Sequence, residues 1–346
     1  MTDLVLNPSR RRARPVFVVL AVTAIFLLLA LAGIGFGSTW IPLDAVAKVL
    51  LGGGDKAEKL LVLQLRMPRV VLASLAGAAM ALAGYLLQRI TRNELASPGV
   101  LGVVDGAALG VVLFMAIFAG ESNALTVSVA WQPLAAVLGA LAAIGLVFLL
   151  SGRQAASAIR LLLFGIAVAA AAKALTTIFM LVGPIHQAAQ AARWLAGAVN
   201  TANWTEIQYM LCMLVPAGLL AAVAARHLPP ADLDDISSRS IGLNLPAYRL
   251  YIFVLAAVLT AGAVAFAGSV SFIGLMAPHL ARLLVGRARA AGMVTALMLG
   301  AIILVGADLL IRVAFAPLEV PAGTVTALIG APYFLFLLMR KDRSNG

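Results

Sequence analysis

Residues 291–313 read AGMVTALMLGAIILVGADLLIRV, a stretch in which only Asp308 and Arg312 carry a charge. At about 1.5 Å per residue, a helix of this length crosses the ~30 Å hydrocarbon core of a membrane. Similar stretches recur along the chain, in which 63% of the 346 residues are hydrophobic and only 11% are charged. An ordinary soluble domain has roughly 45–50% apolar residues with glycine included. The sequence therefore predicts an all-α integral membrane protein and excludes a soluble globular domain.

Ten stretches are predicted to span the membrane. They are residues 16–36, 68–87, 98–118, 132–150, 159–182, 204–225, 248–267, 273–286, 291–313 and 322–339. Because their number is even, both termini lie on one side. Assigning that side to the cytoplasm places 17 of the 25 Lys and Arg residues there, in agreement with the positive-inside rule. This topology explains most of the net charge of +11 without a nucleic-acid partner.

The first span has an alternative interpretation as a cleaved signal peptide, since it follows several arginines and contains Ala30-Leu31-Ala32. Its apolar stretch of roughly 20 residues exceeds the 7 to 15 usual for signal peptides. Its removal would also leave nine spans and break the orientation rule, so we expect a retained span. The one cysteine, Cys212, excludes a disulfide framework within a single chain, and the three histidines form no motif typical of a metal site.

The longest cytoplasmic loop, residues 226–247, has the sequence pattern of a short helix. Asp232 can cap its N-terminus, and Gly242 followed by Pro246 can stop it. Such an amphipathic helix could be a connector lying on lipid or a docking element for a cytoplasmic protein, and its acidic residues favour the protein partner. The residues predicted to take part are Asp232, Leu233, Asp234, Asp235, Ile236, Arg239, Ile241 and Gly242.

Several longer motifs, in order along the chain, resemble the FecCD permeases. They are LRMPR at 65–69, RNELASPGVLG at 92–102, GAALG at 106–110, FIGL at 272–275, PHLAR at 278–282, ADLLIR at 307–312, EVPAG at 319–323 and TALIGAP at 326–332. The resemblance covers about residues 60–340. This family supplies the membrane subunits of ABC importers for ferric siderophores, haem and vitamin B12.

The resemblance implies a fold and a set of partners. The fold is a single transmembrane permease domain, residues 1–346, with a ten-helix bundle at 16–340, an inverted repeat and a cytoplasmic coupling loop at 226–247. The partners are a second permease subunit, identical or similar, around a central path, a periplasmic binding protein and two cytoplasmic ATP-binding subunits. ATP and Mg would be held by those subunits, with no cofactor in this chain. The implied location is the bacterial inner membrane, in contact with lipid.

Two arginines of the first motif, Arg66 and Arg69, flank Pro68 just before an outer end of a span. By resemblance, they meet acidic residues of the binding protein, and paired positive charges would set the register of such docking. Anchoring to lipid headgroups is the alternative. Arg312 is a further docking candidate, although its i,i+4 spacing from Asp308 equally predicts a local ion pair.

Lys173 lies in the middle of the fifth span, where a charge costs at least ~2.5 kcal/mol and is expected to face protein or water. It is a candidate to line the translocation path, and the alternative is a structural ion pair or snorkelling towards the headgroups. Asp105 is the natural candidate for a partner. By resemblance, the helices that carry several glycines and prolines border that path and move during gating, although ordinary packing explains such residues equally well. They are Gly183, Pro184, Gly323, Gly330 and Pro332.

The sequence contains no GxxxxGK[ST] motif, so this chain is not expected to bind ATP through a P-loop of its own. We therefore predict the permease subunit of an ABC importer, for a ferric siderophore in the first place and for vitamin B12 or haem as alternatives. A different class, an ion-coupled secondary transporter, would use Lys173, Asp105 and Asp308 as coupling residues. A third, a membrane enzyme subunit that holds a lipid or quinone, shows no catalytic motif.

Overall fold

The structure is a computed structural model that describes residues 8–37, 39–118, 126–152, 158–197, 199–200, 202–225, 235–240, 242, 244–286, 288–315, 318 and 320–342. Its α-helices, in chain order, are α1 Pro8–Gly35, α2 Leu43–Leu50, α3 Lys56–Lys59, α4 Met67–Thr91, α5 Val103–Ile117, α6 Gln132–Ser151, α7 Ala158–Val182, α8 Ile185–Leu195, α9 Trp204–Ala224, α10 Asp235–Ser240, α11 Leu245–Ala267, α12 Ile273–Val285, α13 Arg289–Ala314 and α14 Ala322–Asp342. A π-helix, Leu60–Arg66, joins α3 to α4, and 3-10 turns precede α5 and α6.

Ten of these helices coincide with the predicted spans. Within the described residues, seven helical segments are long and apolar enough to cross a membrane, and three further apolar helices are shorter, Val103–Ile117, Ile273–Val285 and Ala322–Leu337. Helices are the expected solution because lipid offers no hydrogen-bond partners to the backbone. The all-helical, ten-span prediction is thereby confirmed.

The ten helices define two ends of the bundle. We call the end at which α1 begins the terminal end and the other the opposite end. Successive spanning helices alternate in direction, so that α1 and α13 both finish at the opposite end. In agreement with this, Arg312 near the end of α13 donates to carbonyls near the end of α1. The helix α1 packs against α13 and α4 and is therefore part of the bundle.

Helix α4 is the centre of the bundle and packs against α11, α12 and α13. Glycines bring these backbones together, because a side chain at either contact would collide with main-chain atoms. A Cβ atom at Gly77 would overlap the carbonyl oxygen of Gly300 on α13, and one at Gly84 would overlap that of Gly274 on α12. Close backbone approach of this kind drives helix association in lipid, where there is no hydrophobic force between helices.

Each half of the chain contains a long, mostly buried helix, an irregular segment and a short helix. In the first half, α4 is followed by residues 92–102 and the 15-residue α5. In the second half, α11 is followed by residues 268–272 and the 13-residue α12. Since α4 runs away from the opposite end and α11 runs towards it, the two units have inverted orientation, as the predicted repeat requires.

The predicted third span starts too early in the sequence. We predicted residues 98–118, whereas α5 begins at Val103, after a 3-10 turn over Pro98–Leu101. Gly102, with φ of 74°, separates the turn from the helix and lies against the backbone of Gly165 on α7. Hydropathy did not show this turn because its residues are as apolar as the helix that follows.

Candidate functional site

A cavity of about 860 Å³ opens at the opposite end of the bundle. Its walls come from the short helix α8, the first turns of α4, α6, α9 and α14, the last turn of α11, and α13 at Asp308. The polar lining includes Gln132, Gln190, Asn203 and Tyr209. A space of this size, bordered by seven helices and lined by apolar side chains with several amides and charges among them, can hold a bulky molecule that has both apolar and polar groups.

A buried ion cluster lies in the wall of this cavity. Asp308, with 2% of its side chain exposed, lies between two arginines. Its Oδ1 accepts from Nε of Arg69 at 2.8 Å and lies 2.6 Å from Nη2, and its Oδ2 lies 3.1 Å from Nε of Arg312. The local ion pair that the i,i+4 spacing predicted is therefore present. The pairing with Arg69, 239 residues away in sequence, could not be read from spacing.

Two of the three predicted docking arginines bind the end of α1. Arg66, 6% exposed, donates through Nη1 to the carbonyls of Ile34 and Gly35 at 2.9 and 2.8 Å, and its Nη2 reaches Thr39. Arg312 donates to the carbonyls of Gly33 and Phe36 at 2.8 and 3.3 Å. The last carbonyls of a helix have no intrahelical partner and carry partial negative charge, which two guanidinium groups neutralise here.

This geometry separates the three arginines by accessibility. The nitrogens of Arg66 that face α1 are occupied by main-chain and threonine oxygens, and Arg312 is divided between α1 and Asp308. Arg69 keeps 17% of its side chain exposed and lines the cavity. Of the three predicted docking residues, Arg69 is the one that lines the cavity, and its side chain is more exposed than the 11% of Arg312. Docking at all three stays a prediction.

Two further charged residues of the cavity were not singled out from the sequence. Arg193 on α8 is exposed, and Glu206 is partly buried in the first turn of α9. The amide nitrogen of Glu206 is capped by the side chain of Asn203 at 2.9 Å. Asn203, three residues before the acidic Glu206, was a visible signal for the start of α9. That Glu206 lines the same cavity as Arg69 depends on tertiary packing.

The two path candidates Lys173 and Asp105 lie on neighbouring helices. Lys173 is exposed in the middle of α7, and Asp105 is partly buried in the first turn of α5. Their charges attract each other. Among the described residues, however, no ion pair within 4.0 Å joins them. Since a mid-span ammonium group is not stable against hydrocarbon, this face of α7 requires water or another polypeptide.

The glycine and proline candidates occupy different environments. Gly183 and Pro184 form the link between α7 and α8, and Pro332 is exposed on α14. Gly323 donates its amide to the carbonyl of Gly197 at 3.0 Å, beside the cavity. Gly330 is buried against the Cβ of Phe272, so that packing explains this glycine fully.

The predicted docking helix of the terminal end is described in part. Helix α10, Asp235–Ser240, contains Ile236 and Arg239, and Gly242 follows with φ of 86°, as expected for a helix stop. Pro246 does not end this helix but lies in the first turn of α11. The side chain of Asn244 caps the N-terminus of α11. Asp232, Leu233, Asp234 and Ile241 lie outside the described residues.

A second charged cluster, at the terminal end, connects the segment after α4 to α12. Arg282 pairs with Glu94 and reaches Oε1 of Gln88 at 3.4 Å. His279 lies 3.7 Å from Glu94 and stacks edge-on against Tyr333 of α14. The motifs RNELASP and PHLAR are thus in contact, a relation that the sequence did not reveal. In the part of the chain that the structure describes, no three His, Cys, Asp or Glu residues are grouped as metal ligands.

A ten-span helical bundle with a large cavity open at one end is the architecture of a membrane permease. This chain belongs to the FecCD transport family, whose profile matches residues 24–340. The resemblance inferred from the motifs is therefore confirmed.

Individual relatives match over nearly their whole length. The chain is 39% identical to “Probable siderophore transport system permease protein YfhA” of Bacillus subtilis (strain 168), over 97% of both chains. It is 36% identical to the iron(3+)-hydroxamate import system permease protein FhuG of the same organism, over 94% of this chain and 97% of FhuG. A solved metal-chelate type ABC transporter in an inward-facing conformation superposes with a TM-score of 0.79 and 27% identity, over 93% of this chain and 98% of that chain.

Proposed function

We propose that this chain is the permease subunit of an ABC importer that carries a ferric siderophore across the bacterial inner membrane. The proposal is carried by the end-to-end similarity to siderophore and hydroxamate permeases. The cavity supports it, since its volume of about 860 Å³ and its amide-rich lining suit a bulky polar chelate. Iron would be substrate, carried inside its chelator.

The proposed orientation places the terminal end in the cytoplasm and the cavity towards the periplasm. The positive-inside count favours it. The binding protein would dock over the cavity at Arg69, and two ATP-binding subunits would grip residues 226–247. With no P-loop in this chain, nucleotide energy has to come from those subunits. A second permease, identical or similar, would lie across the central path from the face of α7 that exposes Lys173.

The proposal predicts that tagged protein purified in mild detergent retains an ATPase subunit. Reconstituted with that subunit and the binding protein in vesicles, it should accumulate a ferric siderophore only when ATP is supplied. A panel of ferric hydroxamate, ferric catecholate, haem and vitamin B12 identifies the cargo class. Uphill transport by the purified chain alone, on a proton or sodium gradient, would refute the proposal in favour of a secondary transporter.

Lys173→Gln should lower the rate of ATP-driven uptake of an anionic ferric chelate by roughly tenfold, the order expected from losing ~1.4 kcal/mol of attraction in a partly dehydrated path. The ATPase rate without cargo should stay unchanged, because the residue lies far from the cytoplasmic subunits. Lys56→Gln, an exposed lysine outside the bundle, is the matched control. Equal uptake by both variants would remove Lys173 from the path.

A further inference from the structure

We propose that Asp308 is an internal competitor for the docking arginine. In the undocked permease, its carboxylate occupies Arg69, and an acidic side chain of the binding protein takes its place when the two proteins meet. This inference rests on the proposed function, because it specifies how the importer's docking site is regulated.

The contact between Asp308 and Arg69 is the one that a docking carboxylate would make. Two nitrogens of Arg69, Nε and Nη2, lie 2.8 and 2.6 Å from one carboxylate oxygen. Charge-assisted bonds of this length are among the strongest that arginine forms. An external carboxylate therefore cannot use the same nitrogens until this internal pair opens.

Asp308 does not lose its only cation when Arg69 turns away. Its second oxygen remains 3.1 Å from Nε of Arg312, one helical turn along α13. Arg312 in turn is fixed by its bonds to Gly33 and Phe36 of α1. Leaving a buried carboxylate without any partner would be strongly unfavourable. Here the exchange leaves Asp308 beside Arg312, so that opening the pair with Arg69 does not strand a buried carboxylate.

Access favours exchange at Arg69. Both residues line the cavity, but Arg69 exposes 17% of its side chain and Asp308 exposes 2%. A carboxylate that approaches through the cavity thus meets the guanidinium group first. The cluster also holds three guanidinium groups, of Arg66, Arg69 and Arg312, against one carboxylate. Its net positive charge attracts one more carboxylate and repels a cation.

Removing the competitor should tighten docking. In Asp308→Asn, Arg69 loses its strong internal partner and is free for an external one. We expect the concentration of binding protein that half-stimulates ATPase activity of the reconstituted transporter to fall at least fivefold at low salt. The probe is the binding protein that stimulates the wild-type transporter. The matched control is Asp44→Asn, which removes one exposed carboxylate at the same end without contacting the cluster, and which should change this concentration by less than twofold.

The outcomes separate this inference from the function on which it rests. No stimulation of the wild type by any binding protein overturns both. Stimulation of the wild type, with unchanged or weaker docking of Asp308→Asn, overturns only the competition. An equal gain in Asp44→Asn would also overturn it, because a general charge effect would then suffice. Adding Arg69→Gln to Asp308→Asn should abolish the gain.

A second variant guards against misfolding. If Asp308→Asn does not elute as an assembled complex, the double variant Asp308→Asn/Arg312→Gln keeps the net charge of the cluster and still frees Arg69. It too should dock more tightly than the wild type. Docking no tighter than that of the wild type would overturn the competition.

Discussion

Gly84→Ala should nearly abolish the yield of folded permease. A methyl group at this position would overlap the carbonyl oxygen of Gly274, so that the backbones of α4 and α12 would have to separate. The atoms in the way are main-chain atoms of Gly274, which cannot move aside as the end of a flexible side chain could. Overpacking of this kind costs about 3 kcal/mol, the upper part of the usual range. The measurement is the amount of monodisperse protein after size-exclusion chromatography in detergent, together with the midpoint of its thermal unfolding.

The controls for this variant are Gly145→Ala on α6 and Gly218→Ala on α9. A Cβ atom at either glycine would meet no atom within 4 Å. Both controls should therefore fold as well as the wild type, since alanine is also the better helix former. Wild-type yield and unfolding temperature for Gly84→Ala would show that α4 and α12 are not in backbone contact.

Arg66→Leu should release the end of α1 and destabilise the permease by about 1 to 3 kcal/mol. The substitution leaves the buried carbonyl of Ile34 without its donor and that of Gly35 with the amide of Ile41 alone, and it removes the contact with the exposed Thr39. Each buried acceptor left unpaired costs about 1 to 3 kcal/mol. Arg66→Lys should recover only part of the stability, because an ammonium group cannot reproduce the planar set of donors. Thermal unfolding and hydrogen exchange of residues 33–39 measure the effect.

The outcome for Arg66→Leu also distinguishes two roles of this arginine. Lys48→Leu, which removes an exposed cation at the same end, is the control and should leave stability unchanged. If Arg66→Leu were as stable as this control but lost stimulation by the binding protein, Arg66 would be a docking residue after all. Loss of stability in detergent, before any partner is added, would assign it to the attachment of α1.

The spans could be predicted because lipid imposes one solution on the backbone. Hydropathy located all ten helices, although α1 begins at Pro8, ahead of the predicted residue 16, and α5 begins at Val103, after the predicted residue 98. The irregular segments between helices were harder to foresee. Residues 268–272, GSVSF, lie between two predicted spans, but their sequence does not show the positive φ angles of Gly268 and Phe272 that end one helix and start the next.

The candidate site was predictable in composition but not in pairing. Arg66, Arg69 and Arg312 were all singled out, and the structure brings them together at one end. Which of them remains accessible depends on carbonyls of α1 and on Asp308, and these contacts join residues 27 to 279 positions apart. Spacing along a helix predicts neighbours one turn away, as for Asp308 and Arg312, and no more. The cluster of Glu94 and Arg282 was missed for the same reason.

The short helix α12 has a consequence for how the protein is made. Its 13 residues extend roughly 20 Å, less than the ~30 Å of hydrocarbon. The non-helical segment before it carries backbone amides and carbonyls that lipid cannot satisfy. Neither α12 nor the segment before it is therefore stable in lipid by itself when it leaves the insertion machinery. Biogenesis of the second half therefore has to wait until α4 is in place to receive it, and the order of synthesis along the chain provides this.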